Sequence, residues 1–418
     1  KSKVEELRPF GLLPDPPAIA SGDVATPEAN NAEPVELSVF NIALFVAQEC
    51  NMNCVYCYGD GGQYAGNGMM SEETAFASVD WLIKNSKGTQ KLNISFFGGE
   101  PLLNFPLIQK TVEYSKRRAA ECGKTITYSM TTNGSLLTDE IISFLCDENV
   151  DVMISFDGPP SIQNRQRPFR DGSPSYDAVN ANIQKMLARM PEIQARATLY
   201  GDADPFAIGE ELARAGFCEY TLIKASPVLL RGVEASGHEQ STFNPASERT
   251  VSFYEKEWDD FLHAVKTRSV TGIFKTVGSL MFPLITGDKK FYNCGVGKGM
   301  AGITVTGDIY PCHRFAGVEN MKMGNIEDYS IEGMNDYYRT PVVNMPRCLP
   351  CWARYLCGGG CSYDNMARTG DYRTPDETSC AETRAIYEKG ICVLTGMDGS
   401  DREYLGKLYA GKMKKILP

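Results

Sequence analysis

The sequence has little that would tie it to a membrane or to nucleic acid. It contains no run of about 18 apolar residues, so no membrane-spanning helix is expected. The opening Lys1-Ser-Lys-Val-Glu-Glu lacks the apolar core of a secretory signal. A cytoplasmic location is therefore the default expectation. Basic residues are in deficit: 42 Lys and Arg against 52 Asp and Glu give a net charge of −10. A general grip on phosphates needs a basic surface, so neither nucleic acid nor membrane is expected as a partner. No internal repeat occurs beyond a strand–helix unit.

Cysteine, by contrast, is plentiful, at 14 residues. In a small secreted chain these would suggest disulfides. Here they are clustered. Cys50, Cys54 and Cys57 crowd together, and Cys294, Cys312, Cys348, Cys351, Cys357, Cys361 and Cys380 fill the last third. Short fixed spacing without a leader favours metal. Cys122, Cys146, Cys218 and Cys392 stand alone in apolar-patterned segments and are expected to be buried structural thiols.

Residues 1–36, rich in Pro, Ala, Asn and Glu, are expected to form an extended arm. Apolar, β-prone runs follow at 38–46, 92–97, 125–130, 151–156, 193–200 and 217–224. Helical stretches open at Ser71-Glu-Glu, Asn104-Phe-Pro and Thr138-Asp-Glu. Six such alternations imply parallel strands with right-handed crossovers. Six falls short of the eight that close a barrel. The fold class is α/β: a partial (β/α)6 barrel with a lateral mouth, then a cysteine-rich C-terminal domain stabilised by metal clusters. The expected units are the arm (1–36), the partial barrel (37–230), a helical bridge (231–290, helices near 249–268 and 273–287), the cluster domain (291–395) and a tail (396–418).

Cys50-Asn-Met-Asn-Cys54-Val-Tyr-Cys57 follows the first strand directly. Three thiolates can hold three corners of a [4Fe–4S] cube and leave one iron open to a ligand. A zinc knuckle or redox thiols are the alternatives. Structural zinc takes four ligands, and no fourth Cys or His is near; the nearest His is His238. The C-x3-C-x2-C spacing, with Tyr56 before the last Cys, resembles the motif of the radical S-adenosylmethionine (SAM) superfamily. The resemblance implies that the open iron chelates the amino and carboxylate groups of SAM. One-electron cleavage of SAM would then give a 5′-deoxyadenosyl radical that abstracts hydrogen from an unactivated carbon. Gly98-Gly99-Glu100-Pro, after the second strand, resembles the family's loop for the SAM amino group. Glycines let a backbone approach a ligand closely, and a carboxylate can accept from an ammonium. Thr131-Thr-Asn133-Gly134 and Ser155-Phe-Asp157-Gly158 end the third and fourth strands, where ligands bind in open α/β sheets. By resemblance, Ser155 and Asp157 lie near the SAM ribose and Arg196 meets the SAM carboxylate. Asn-Gly and Asp-Gly are also plain turn formers, which leaves a purely structural role open for Asn133 and Asp157.

The C-terminal pattern is Cys294-x12-Gly307-x4-Cys312, then Cys348-x2-Cys351-x5-Cys357-x3-Cys361, then Cys380. It resembles the seven-cysteine SPASM extension of peptide- and protein-modifying radical SAM enzymes; a pair of zinc ribbons is the alternative. The resemblance implies an outer cluster on Cys348, Cys351, Cys357 and Cys380. It implies an inner cluster on Cys294, Cys312 and Cys361. The expected cofactors are thus SAM and three [4Fe–4S] clusters. Two full cubes need eight donors and the signature supplies seven. The inner cube would have an open iron that could hold a substrate thiolate, or a distant residue such as Cys218 or Cys392 would complete it.

Phe96–Pro106, Arg167–Asp177 and Pro311-Cys-His-Arg-Phe315 resemble the quinohemoprotein amine dehydrogenase maturation and six-cysteine-peptide maturase group. That implies a thioether between a Cys sulfur and an unactivated carbon of a ribosomally made peptide or small protein subunit. Relatives that form carbon–carbon or carbon–oxygen crosslinks, or oxidise Cys or Ser as sulfatase maturases do, are the alternative. An electron carrier without SAM chemistry is a further one. Expected partners are the precursor peptide and an electron donor such as flavodoxin or ferredoxin. The arm is too short for the winged-helix leader-binding domain of many relatives, so any leader recognition is expected elsewhere in the chain or in a separate leader-binding protein. No catalytic base stands out; Asp308 and Glu319 lie in the cluster domain without distinguishing marks.

Overall fold

The computed structural model describes residues 38–230, 246–270, 277, 280–281, 283–284, 287–296, 299–328 and 340–416. The expected arm and residues 231–245 of the expected bridge lie outside the described residues, as does most of the helix expected at 273–287.

Strand and helix alternate as the hydrophobic pattern requires. The order is β1 (Asn41–Ala47), α1 (Glu72–Asn85), β2 (Lys91–Gly98), α2 (Phe105–Glu121), β3 (Thr125–Thr132), α3 (Asp139–Asp147) and β4 (Asp151–Ser155). Then come α4 (Pro160–Gln166), α5 (Tyr176–Leu187), β5 (Gln194–Leu199), α6 (Pro205–Ala215) and β6 (Glu219–Lys224). The six strands pair in parallel, in chain order. Ser71 caps α1 by accepting from the Thr74 amide, and Thr138 caps α3 through Ile141; each hydroxyl satisfies an otherwise orphaned donor. A short 3-10 turn at Pro101–Asn104 leads into α2.

The two faces of the sheet differ chemically. On β2, Leu92, Ile94 and Phe96 are buried beneath the helices, while Asn93, Ser95 and Phe97 are half-buried on the inner face. Period-2 alternation places them so. Asn93 donates through Nδ2 to Asn41 Oδ1 (3.0 Å) and to Ser129 Oγ (3.2 Å). These bonds form a polar layer across β1, β2 and β3. Closed barrels fill this position with branched aliphatics; the arc keeps it polar. β1 is buried along nearly its whole length, as a strand covered on both faces should be.

The sheet does not stop at the expected domain boundary. β7 (Met300–Ile303) pairs in parallel with β1, and β8 (Asp308–Tyr310) and β9 (Gly324–Asn325) follow antiparallel. The result is one nine-stranded sheet in the order β6-β5-β4-β3-β2-β1-β7-β8-β9. Further α-helices among the described residues include α7 (Ala246–Lys266), α8 (Arg354–Cys357), α9 (Ser362–Thr369), α10 (Glu377–Thr395) and α11 (Gly399–Ile416). Trp258 and Phe261 of α7 pack with Leu356 and Tyr387. Most of the expected tail is α11, pinned to α7 where Arg268 Nη1 meets Asp401 at 2.8 Å. Among the described residues no helix is long and apolar enough to cross a membrane.

Candidate functional site

The C-terminal ends of the barrel strands converge on the first cysteine triplet. The loop after β1 is strapped to the segment after α4: Asn53 N donates to Pro168 O and Val55 N to Gln166 O, both at 2.9 Å. Cys50, Cys54 and Cys57 are electrostatic neighbours within it. Burial pushes the Cys54 thiol up to about 12 and the Cys50 thiol to about 11. Neutral buried thiols of this kind become good ligands once a cation compensates their charge.

Three neighbouring loops hold that triplet in place. Gly99 N donates to Ala47 O and Glu100 N to Glu49 O, each at 2.9 Å. A Cβ on Gly98 would lie 2.0 Å from Ala47 O, and one on Gly99 2.2 Å from Glu49 O. The close approach that demands glycine is thus to the first loop's own backbone. Glu100 is fully buried. Its carboxylate accepts from Leu102 N (3.0 Å), Thr132 Oγ1 (2.8 Å) and Asn133 N (2.8 Å). Burial raises its pKa and the three donors oppose the rise. Asn133 Nδ2 donates to Asn51 Oδ1 at 2.9 Å and lies 3.8 Å from Cys50 Sγ.

Tyr56 points away from solvent. Its hydroxyl donates to Asp157 Oδ2 at 2.5 Å and accepts from Arg167 Nη1 at 2.6 Å. Asp157, fully buried, also accepts from Thr198 N at 2.9 Å. Arg167 is an electrostatic neighbour of Cys54 and lowers its pKa, against the stronger effect of burial. In the sequence Arg167 opens the Arg167–Asp177 string but carries no mark of this role. Its partners lie ten and over a hundred positions away, and no local pattern shows them.

Ser155 and Arg196 sit side by side in the β4–β5 register. Arg196 lines an inner cavity of about 250 Å³ with Ser95, Phe97, Thr131, Met153 and His313. Its Nε has no hydrogen-bond partner, and burial lowers its pKa. His313 packs 4.6 Å from the Phe97 ring. Burial, with Arg314 and Arg196, pulls its pKa down to about 3. In the sequence His313 is marked only by its place in the Pro311–Phe315 string, next to Cys312.

The C-terminal cysteines fall into two groups. Cys312 has Cys361 and Cys294 as neighbours. Cys348 has Cys357, Cys380 and Cys351. The Cys357 sulfur accepts from the amides of Gly359 and Gly360. Gly358 is required because a Cβ there would lie 2.6 Å from the Asn293 nitrogen, where the two cysteine loops cross. Among the described residues no three His, Cys, Asp or Glu side chains converge tightly enough for a single metal ion. Cysteine sets of three, three and four match the donor sets that iron–sulfur cubes take.

The isolated cysteines correct an expectation. Cys122, Cys218 and Cys392 are exposed and Cys146 is half-buried. Cys122 caps the C-terminal end of α2. Cys218 alternates outward after buried Phe217, and Cys392 lies off the α10 face that buries Tyr387, Gly390 and Val393. Apolar neighbours there belong to other faces of the same segments.

Residues 44–201 match the Radical SAM superfamily. The chain is 24% identical over 356 residues to the radical SAM cyclopropyl synthase TigE of Paramaledivibacter caminithermalis, covering 81% of this chain and 71% of that protein. It is 26% identical over 358 residues to the serine-type anaerobic sulfatase-maturating enzyme of Bacteroides thetaiotaomicron, covering 78% and 83%. The fold matches a structure of native anSMEcpe with bound AdoMet at a TM-score of 0.70 and 18% identity, over 85% of this chain and 98% of that one. Residues 44–201 thus carry a radical SAM domain, and over most of its length the chain is similar to these enzymes and shares the fold of the last.

Proposed function

We propose that this protein is a maturase that abstracts hydrogen from an unactivated carbon of a ribosomally made peptide and joins that carbon to a Cys sulfur of the same peptide. Cys50, Cys54 and Cys57 would hold the SAM-binding cube. Cys348, Cys351, Cys357 and Cys380 would hold the outer auxiliary cube, and Cys294, Cys312 and Cys361 the inner one. SAM and these clusters would supply a hydrogen-abstracting radical and an acceptor for the single electron released when the carbon–sulfur bond closes, the thiol proton leaving to solvent. Arg196, which lines the cavity and whose buried Nε has no hydrogen-bond partner, is suited to bind the SAM carboxylate. Ser155 beside it would face the ribose. Glu100, Asn133, Asp157 and Tyr56 act one step back: their polar atoms hold the cluster loop and the strand ends in place. Gly98 and Gly99 bring the second loop against the first.

The observation that carries the thioether reading is the three-cysteine inner group. A thiolate is a good iron ligand, so a substrate Cys could complete that set. A second reading, oxidation of a Cys or Ser, is favoured by similarity to the sulfatase-maturating enzyme over most of the chain. The test is mass spectrometry of candidate peptides treated with reduced protein and SAM. A thioether product is lighter by a pair of hydrogens and has lost an alkylatable thiol for each crosslink. A lighter product with every thiol intact overturns the thioether and favours Ser oxidation or a carbon–carbon or carbon–oxygen crosslink. A carrier protein would release no 5′-deoxyadenosine at all.

A further inference from the structure

One arginine lies between the first cysteine loop and the inner cysteine group. Arg314 Nη1 donates to Cys361 Sγ at 3.0 Å. The same guanidinium forms a two-pronged pair with Asp364, Nη1 to Oδ2 at 3.0 Å and Nη2 to Oδ1 at 3.1 Å. Nη2 also donates to Ser226 Oγ. Its carbon lies 4.4 Å from the Tyr363 ring centroid and 5.3 Å from that of Tyr58. Tyr58 directly follows Cys57, and Tyr363 sits in the first turn of α9, whose N-terminal cap is Cys361.

A planar, permanently charged group held by a bidentate carboxylate and two aromatic faces has few rotamers left. Arg314 is mostly screened from solvent, at 17% side-chain exposure, so its charge acts in a medium of low dielectric. A donor to a ligating sulfur draws negative charge off the cluster and favours the state with one more electron. Asp364 opposes this, since its carboxylate pairs with the same guanidinium and itself lies beside Cys361.

We propose that Arg314 sets the reduction potential of the inner auxiliary cluster, raising it through the bond to Cys361, with Asp364 limiting the rise. This rests on the assignment of Cys294, Cys312 and Cys361 to a cluster. Arg314 is a positioning residue: it acts on the cluster through Cys361 and touches no substrate. The opposed signs of Arg314 and Asp364 separate this role from a merely structural one, since loss of either partner would loosen the same pair.

The experiment is an anaerobic redox titration followed by electron paramagnetic resonance, with iron and sulfide analysis. It uses the full reconstituted chain and its Arg314→Gln, Arg314→Lys, Asp364→Asn and Cys361→Ala variants. Arg314→Gln should lower the ratio of reduced to oxidised inner cluster at fixed potential roughly tenfold, about 59 mV for a one-electron couple. Arg314→Lys should fall between that variant and the parent. Asp364→Asn should shift the same signal the opposite way. Signals from the other two clusters should stay in place. Arg314→Gln and Asp364→Asn moving together, or neither moving, overturns the proposal while leaving the cluster assignment intact. If the Arg314 variants lose iron, Asp364→Asn alone decides by its sign. Full iron content in Cys361→Ala would remove the assignment itself, and the proposal with it.

Discussion

The carboxylate of Glu100 accepts the backbone N–H of Asn133 at 2.8 Å, so the loop ending β2 holds the loop ending β3. Asn133 in turn reaches Asn51 beside the first cysteine. A side chain expected to touch SAM is therefore tied to the cluster loop through a two-residue relay.

Glu100→Ala should cost both stability and affinity. It leaves the Leu102 and Asn133 amides and the Thr132 hydroxyl without their acceptor. Unsatisfied buried donors cost about 1–3 kcal/mol. SAM affinity should fall about tenfold or more as the loops relax. Calorimetric titration with SAM beside a thermal melt checks both, and an unchanged SAM affinity removes Glu100 from the site.

Replacing Cys50, Cys54 and Cys57 together by Ala should abolish 5′-deoxyadenosine formation and leave the C-terminal clusters. Iron content should fall from about 12 to about 8 per chain. A parent protein with only about four irons would refute the two auxiliary clusters.

Arg196→Lys keeps the charge but loses the planar fork that suits a carboxylate. Its buried Nε has no hydrogen-bond partner to lose. The variant should fold with an unchanged melting temperature and bind SAM about tenfold more weakly, the loss of one charge-assisted bond. Equal loss of folding stability would mark Arg196 as a scaffold residue.

Glu257, on α7, carries a pKa raised from 4.5 to about 7 by burial and by nearby Asp260. The folded state binds this proton more tightly than the unfolded chain. The group's contribution is therefore fully present below about pH 4.5 and is lost as pH rises through 7. Glu257→Gln should raise stability at pH 8 by about 1–3 kcal/mol and change it little at pH 4.5. Denaturation at the two pH values, variant against parent, reads the difference.

The barrel was legible because β1 carries an apolar run, β2 and later strands an apolar alternation, and some of the helices a cap. Ser71 and Thr138 act as caps where the sequence placed them. The cysteine groups were legible because their spacing is local. Arg314 and Arg167 were not, since their partners are set by tertiary packing: Cys361 and Asp364 lie 47 and 50 positions from Arg314. Glu100 and Gly98–Gly99 were found by motif, but their contacts turn inward, which only the neighbouring backbone reveals. The exposed Cys122 and Cys392 misled because apolar residues nearby in sequence occupy a different face of the helix.

The parallel pairing of β7 with β1 has a practical consequence for anyone wishing to exchange the C-terminal half. Asn41–Leu44 runs in register with Met300–Ile303. A chimaera cut near residue 290 would strip the first barrel strand of its neighbour and bare a row of amides and carbonyls beside the SAM loop. The graft would have to bring a strand that matches β1 in register. Otherwise the recipient would aggregate through that raw edge before any cluster chemistry could be measured.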